Sequence, residues 1–592
     1  LRRVVVQLVA NDLGLRAQRP RGERSNAVTS QRRSSLAAAL TVLASLAALP
    51  SCGSRSPYWD TSVDTSQTPY GLARGIAIVD DANHQLVAVT SAADHTLQSH
   101  RLPIGHHFAS ATPTADGESL LLLSSGDWPL VNASDDPPSL TMLTIDGTFT
   151  ASTKRFAMSE PLGTLAVDPY LEYAVAYQGS TTNPSFATNP NQLIIFDLTK
   201  PPGGSNPKSR TLQSFGGSPQ RLTFSPSLML PADAASAGVT ATSRRLLIVE
   251  TTIDVAIVDL TNAFADDPPP DITIPLGNGT GANMLSPAAV TIDPNPDDGR
   301  IAFRTVQDHN VYTMQLVPAQ PAAAGATAPR NDFTPSINLT DVGGNPSDIA
   351  FVNTLEGLRV AALVPATSQA VLVEPDTSVT TAVALAFPYS NLSLVTSIVN
   401  GPAPPSSPDV AMLWQQASNG AGGTAGVALW TLGDAVGQPY RSVDVLTVED
   451  PISSVVDVPS SNLKILTTPS GSAHALYVLD LASQTTSPID TTTEPTLALA
   501  PYDSTGADGG RFWAYASRGT DLAYIGLKTL NPIPLTTTAP IASVFDIAAE
   551  GGAARTLIAI HAEGTFGATV FDALKPQTAT SYRDVALLLE QP

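Results

Sequence analysis

After residue 50 the apolar positions alternate with polar ones in short runs, and no long stretch repeats at helical spacing. Two phrases recur. The first is Pro, two residues, then alternating apolar positions, often closed by Asp or Pro. It reads PLGTLAVDP at 161–169, PQRLTFSP at 219–226, PAAVTIDP at 287–294 and PSDIAF at 346–351. It returns as PISSVVDVP at 451–459, PTLALAP at 495–501 and PIASVFD at 540–546. The alternation predicts a strand, bracketed by prolines because proline has no N–H to give to a sheet ladder. The second phrase is an apolar run, a polar turn and another apolar run, as in RRLLIVETTIDVAIVDLT at 244–261 and ARTLIAIHAEGTFGATVFD at 554–572. The segments 299–316, 358–376, 463–481 and 510–527 follow the same plan. Each predicts a β-hairpin.

Marking each hairpin end gives Gln98, Asp146, Asp197, Asp259, Gln315, Glu374, Thr431, Asp480, Gly526 and Asp572. The nine intervals run from 46 to 62 residues. A further extended piece follows each mark, such as Thr377–Ala386 or Ser442–Val448. Four strands per unit is the plan of a propeller blade. The expectation is an all-β fold, a β-propeller of about ten four-stranded units over residues 70–592. One large ring is favoured over seven or eight blades or two propellers in tandem. Pro201–Ser209 and Pro318–Arg330 are expected to be inserted loops. Gly401–Pro408 and Asn419–Gly426 are the best candidate breaks, yet both fall inside one unit. The run Asp584–Glu590 is expected to close the ring by pairing near Gly75–Val79, since an unpaired edge invites aggregation.

The repeated phrases resemble those of lactonase-like β-propellers, with their P-x-x-φ-x-φ-s-P-D-G repeats in which φ is apolar. The resemblance covers nearly everything from Gly71 to Pro592 and implies architecture, because the matching residues build strands. WD dipeptides are missing from the blade ends, and only five tryptophans occur in the chain.

The N-terminal region has a different pattern. Arg32 and Arg33 precede an apolar run at Leu36–Leu49, and the chain's one cysteine, Cys52, follows directly. A run of 14 residues is short of the roughly 20 that span a bilayer, so it reads as an export signal. Leu49-Pro50-Ser51-Cys52 resembles a bacterial lipoprotein lipobox, although Pro50 departs from its usual small or β-branched residue. The resemblance implies lipidation of Cys52, cleavage of the signal segment 1–52 ahead of that cysteine and, with Gly53 after it, delivery to an outer membrane. Ordinary signal cleavage leaving Cys52 as an incidental thiol is the rival reading. Residues 1–27 carry six arginines and do not suit a signal, so a start near Val28 is expected. Residues 53–69 are rich in Ser, Thr and Asp and read as a flexible tether.

Composition narrows the partners. The whole chain carries a formal charge of −21, and without residues 1–52 it holds 23 basic and 50 acidic residues. Such a surface repels nucleic acid and anionic headgroups. A single cysteine allows no internal disulfide. Hydrophobic content of 43% with 14% charged residues belongs to a globular chain.

Candidate chemistry is sparse. His84, His95, His100, His106 and His107 cluster early, near Asp80, Asp81 and Asp94, and are donor types for a transition metal. Their spacing matches no closed metal motif. Asp293, Asn295, Asp297 and Asp298 alternate as calcium ligands do, but Asp-Gly is also what a turn requires. Asp146, Asp197, Asp259, Asp480 and Asp572 recur once per unit, which points to capping of turns and not to catalysis. Trp430 and Trp513 lie in apolar strands and read as core, whereas Trp128, in the loop SSGDWPLVNASDD, is the candidate binding aromatic. G-x-S-x-G, H-E-x-x-H and Walker motifs do not occur. No catalytic residue and no cofactor are assigned. The expected function is a non-catalytic binding module for a protein or glycan in the cell envelope. The alternative is a lactonase-like hydrolase with a metal or His/acid site at the channel mouth.

Overall fold

The computed structural model describes residues 68–179, 189–214, 217–229, 243–276, 285–293, 295, 299–319, 331–395, 409–416, 426–432, 443–458, 461, 463–469, 471–491, 496–499, 510–552, 554–562, 567–576 and 583–586. All of them belong to one compact unit of the chain, Val63–Pro592. Cys52, the apolar run before it and most of the expected tether lie outside the described residues.

Ten four-stranded antiparallel sheets follow one another, each built in sequence order from its inner to its outer strand. Blade 1 spans Tyr70–Pro103, blade 2 Phe108–Ala157, blade 3 Thr164–Thr211, blade 4 Pro219–Pro275 and blade 5 Pro287–Asp341. Blades 6 to 10 span Asp348–Ala384, Asn391–Thr447, Ser454–Ile489, Thr496–Thr536 and Ile541–Ala586. This is a ten-bladed β-propeller. The proline-led phrase is the inner strand of each blade that carries it, and the hairpin phrase is the second and third strands. In blades 4 and 5 the inner strand bulges immediately after its proline, at Pro219/Arg221 and Pro287/Ala289. The missing N–H ends the ladder there and lets the extra residue in.

The middle strands are apolar at nearly every position because both of their faces are covered. In blade 4, Leu246 and Ile248 point toward blade 5, while Leu247 and Val249 point toward blade 3. Period-two geometry sends neighbours to opposite faces, so a blade between two others needs apolar residues on both. Fully burying each such side chain contributes about 1.5–3 kcal/mol. Trp430 and Trp513 sit in these layers with no exposure. Outer strands keep the alternation, as at Leu97–Pro103.

Three expectations need correction. Among the described residues the ring does not close by strand exchange: Arg583–Ala586 pairs with Gly567–Val570 in its own blade, and blade 1 supplies all four of its own strands; residues 587–590 of the expected closing run lie outside the described residues. Closure is by face packing of Ile76, Ile78, Val87 and Val89 on Ile547, Ile558, Ile560 and Val570. Gln98 does not end a hairpin but lies in the outer strand of blade 1, whose hairpin ends at Ser91. The turn Ala92–Thr96 is so short that two strands merge in the pattern. Lys208 and Ser209 belong to the outer strand of blade 3 and not to an inserted loop. The stretches 401–408 and 419–425 fall between strands of blade 7, so neither divides the ring.

Candidate functional site

Antiparallel order places each loop between second and third strands on the same face as the connections between blades. On that face of blades 1 and 2, three loops meet. His84 comes from the hairpin of blade 1, His106 and His107 from the connection to blade 2, and Asp127 to Asp136 from the loop Ser125–Pro138. His84 stacks on His106 with ring centroids 3.8 Å apart, and His107 stands edge-on to both at 6.2 and 6.4 Å. His84 and His107 hold φ of 52° and 57°, the left-handed turn that brings the rings together.

The loop is pinned from beneath. His106 Nδ1 lies 3.0 Å from Asp127 Oδ1, and the His106 N–H donates to Asp136 Oδ2 at 2.9 Å. The Asp136 N–H donates to Asp127 Oδ2 at 2.7 Å, and the Asp127 N–H returns a bond to the Asp136 carbonyl. Arg155, from the outer strand of blade 2, pairs with Asp136. Asp127 is held below the usual carboxylate range, first by the Asp136 N–H and then by His106. Burial alone would raise Asp136, but Arg155 and the His106 N–H outweigh it and lower it. An ionised Asp127 can only accept, so His106 carries its proton on Nδ1.

Above this base the loop turns outward. Asp135 Oδ2 accepts the N–H groups of Val131 and Asn132 at 2.8 and 2.7 Å. Those bonds, Asn132 first, also lower the Asp135 pKa. The capped turn presents Leu130, 45% exposed, and Val131, 82% exposed. Trp128 lies half-buried beside them.

The remaining expected site residues are dispersed. His95 belongs to the opposite face, where it meets blade 10, and His100 is exposed on an outer strand. Asp80 is buried and accepts from Asn83 and Gln85. The Asp81 carboxylate accepts the Phe108 N–H at 2.7 Å, tying blade 1 to blade 2, and Asp94 caps its own turn. Asp293 is buried and accepts the Asn295 N–H at 2.8 Å, a turn role. Asp297 and Asp298 lie outside the described residues. The five repeated acids cap turns as expected: Asp146, Asp197, Asp480 and Asp572 each accept an N–H two residues on, and Asp259 accepts that of Asn262. Among the described residues, no group of three or more His, Cys, Asp or Glu side chains gathers at metal-ligand distance.

Sequence reasoning singled out Trp128 but missed Leu130 and Val131. Two consecutive apolar residues inside a Gly/Asp/Asn-rich loop were the signal available. The role of Arg155 carried no local signal, since it depends on a contact with another strand.

No protein-family model matches the chain. No curated protein matches it either. Among solved structures, "BBS1N in complex with ARL6DN" is similar at 10% identity and a TM-score of 0.30, over 61% of this chain and 87% of that one. The Dos1 propeller is similar at 12% identity and a TM-score of 0.32, over 66% of this chain and 88% of that one. Overlaps this loose carry no argument about partners, and the blade count rests on this chain's own strand pairing.

Proposed function

We propose that this chain is an exported, lipid-anchored scaffold that docks a protein or glycan partner on the connection face of blades 1 and 2. Cys52 would carry the lipid, residues 53–69 would act as the tether, and the cell envelope, at an outer membrane, would be the place of work. The observation that supports docking is the exposure of Leu130 and Val131 on a turn fixed by Asp127, Asp135 and Asp136. An apolar tip that needs no ordering on contact loses little entropy in binding. The lactonase-like hydrolase reading lacks a convergent set of acids and histidines among the described residues. The repeat phrase supports it at the level of architecture only.

A photo-crosslinking residue in place of Val131, in the host envelope, tests docking. A discrete adduct is expected there and not from the same residue in place of Val379, which is exposed on the opposite face. Equal labelling from both positions would refute the docking site. Anchoring is tested separately: a Cys52→Ser variant should lose palmitate label and leave the membrane fraction. Retention of both would refute the anchor.

A further inference from the structure

A cleft between the outer edges of blades 3 and 4 encloses a cavity of 190 Å³, lined by Lys208, Arg210 and Gln213 on one side and Pro268–Asp271 on the other. Nothing in the scaffold reading uses it. Lys208 and Arg210 stand two residues apart on the outer strand Lys208–Thr211, so their side chains leave the same face about 7 Å apart at the stem.

The two cations are poorly matched by acceptors. Arg210 is 11% exposed and donates through Nη2 to the Pro269 carbonyl at 2.6 Å, with Asp271 Oδ1 at 3.5 Å. Its Nη1 is buried and has no hydrogen-bond partner. The other oxygen of Asp271 is occupied by the Gln213 N–H at 2.7 Å. Lys208 is half-buried and makes no ion pair with any described residue. A guanidinium has five donors and no acceptor, and leaving such N–H groups unmatched in a buried place is unfavourable. The cavity lining itself holds two cations against one engaged carboxylate, with Asp266 and Asp267 exposed just outside it.

We propose that this cleft binds a small oxyanion, a phosphate or carboxylate group, between the Lys208 ammonium and the Arg210 guanidinium. The oxyanion supplies the acceptors the cleft lacks, in charge-assisted bonds stronger than neutral ones. Pro268, Pro269 and Pro270 form a wall with no N–H groups of its own, so the charged donors all come from the opposite side of the cleft.

The test is a titration of the purified protein with inorganic phosphate, with succinate and with sodium chloride at matched ionic strength. Thermal unfolding is read in all three arms and phosphorus NMR line width in the first. A saturable rise in melting temperature is expected with phosphate, succinate or both, and not with chloride. The arm that saturates identifies the oxyanion. Lys208→Gln, which removes a side chain without an ion-pair partner and leaves the fold intact, should weaken the apparent affinity at least tenfold. Arg210→Gln should do the same, and if that variant fails to fold, Lys208→Gln decides alone. The proposal is overturned if no arm saturates, or if Lys208→Gln titrates like the unaltered protein.

Discussion

His95 Nδ1 of the first blade lies 2.9 Å from Thr556 Oγ1 of the last, and Ser91 Oγ meets the same hydroxyl at 2.7 Å. Thr556 is fully buried. The His95 Nε2 edge faces Asp572 at 3.8 Å. Main-chain bonds from Ala548 to Ala73 and from Glu550 to Ser91 run alongside. Side-chain and backbone polar groups thus seal the junction that strand exchange does not.

Thr556→Val keeps the shape of that junction and strips its hydroxyl, leaving Ser91 Oγ and His95 Nδ1 without it. A loss of about 1–3 kcal/mol is expected, the cost of orphaning buried polar groups. Adding Ser91→Ala should recover part of it, because the hydroxyl that lost Thr556 and keeps only the Ala92 carbonyl, at 3.2 Å, goes too. Denaturant unfolding of the single and double variants measures the coupling, and additive losses would argue against a shared hydrogen-bond junction.

Gly71 faces Phe545 across the same junction. A methyl group there would sit 2.5 Å from Phe545 Cδ1. Gly71→Ala should therefore destabilise the ring by about 1–3 kcal/mol, as overpacking does. Phe545→Leu in the same chain should relieve it, and melting temperatures of the single variant, the double variant and the unaltered protein show whether it does.

Asp546, with no side-chain exposure, receives Arg511 Nε at 2.9 Å, Arg555 Nε at 2.7 Å and Trp513 Nε1 at 2.9 Å. Asp546→Ala would leave two guanidiniums facing each other without their shared partner. A loss of about 3–5 kcal/mol is expected. Asp546→Asn, which keeps an acceptor for Trp513, should lose less. Urea midpoints give the order.

The junction of blades 7 and 8 should respond to pH in two directions. Burial alone would raise Asp450, but bonds from Tyr477 and from the Ala473 and His474 N–H groups lower it. Its contribution is present above the ordinary value of 3.8 and is lost as pH falls through the lowered one. His474 is raised, chiefly by its hydrogen bond to Asp490. That contribution is complete below 6.5 and is lost as pH rises through the raised value. Asp490 is exposed, so the second effect should be small and should fade in salt. In melting curves from pH 3 to 9, Tyr477→Phe should diminish the acid limb and Asp490→Asn the alkaline one.

Asp135→Ala should leave overall stability nearly unchanged, since the capped turn is exposed. Hydrogen exchange at the Val131 and Asn132 amides should accelerate several-fold, because the carboxylate that holds both is gone. Partner crosslinking from position 131 should weaken with it. Unchanged exchange would mean the turn holds itself.

The strands were legible because their signal is local. Alternation in PQRLTFSP and the two-sided apolar runs of RRLLIVETTIDVAIVDLT record which faces are covered, whatever covers them. The turn role of Asp146, Asp197, Asp259, Asp480 and Asp572 was legible for the same reason, since each bonds within three residues of itself. Legibility failed where contacts are distant. His84, His106 and His107 form one cluster while His95 and His100 stand apart, and no spacing distinguishes them. Leu130 and Val131 read as ordinary apolar residues until the capped turn exposes them.

By itself the sequence determined an acidic chain through its composition, and an all-β, four-strand repeat occurring about ten times, because period-two burial is recorded within each stretch of about fifty residues. Only the tertiary structure decided how the ring closes, which histidines meet and which cations are left short of acceptors. Those depend on contacts such as His95 with Thr556, 461 positions apart, for which no local pattern of side chains carries information.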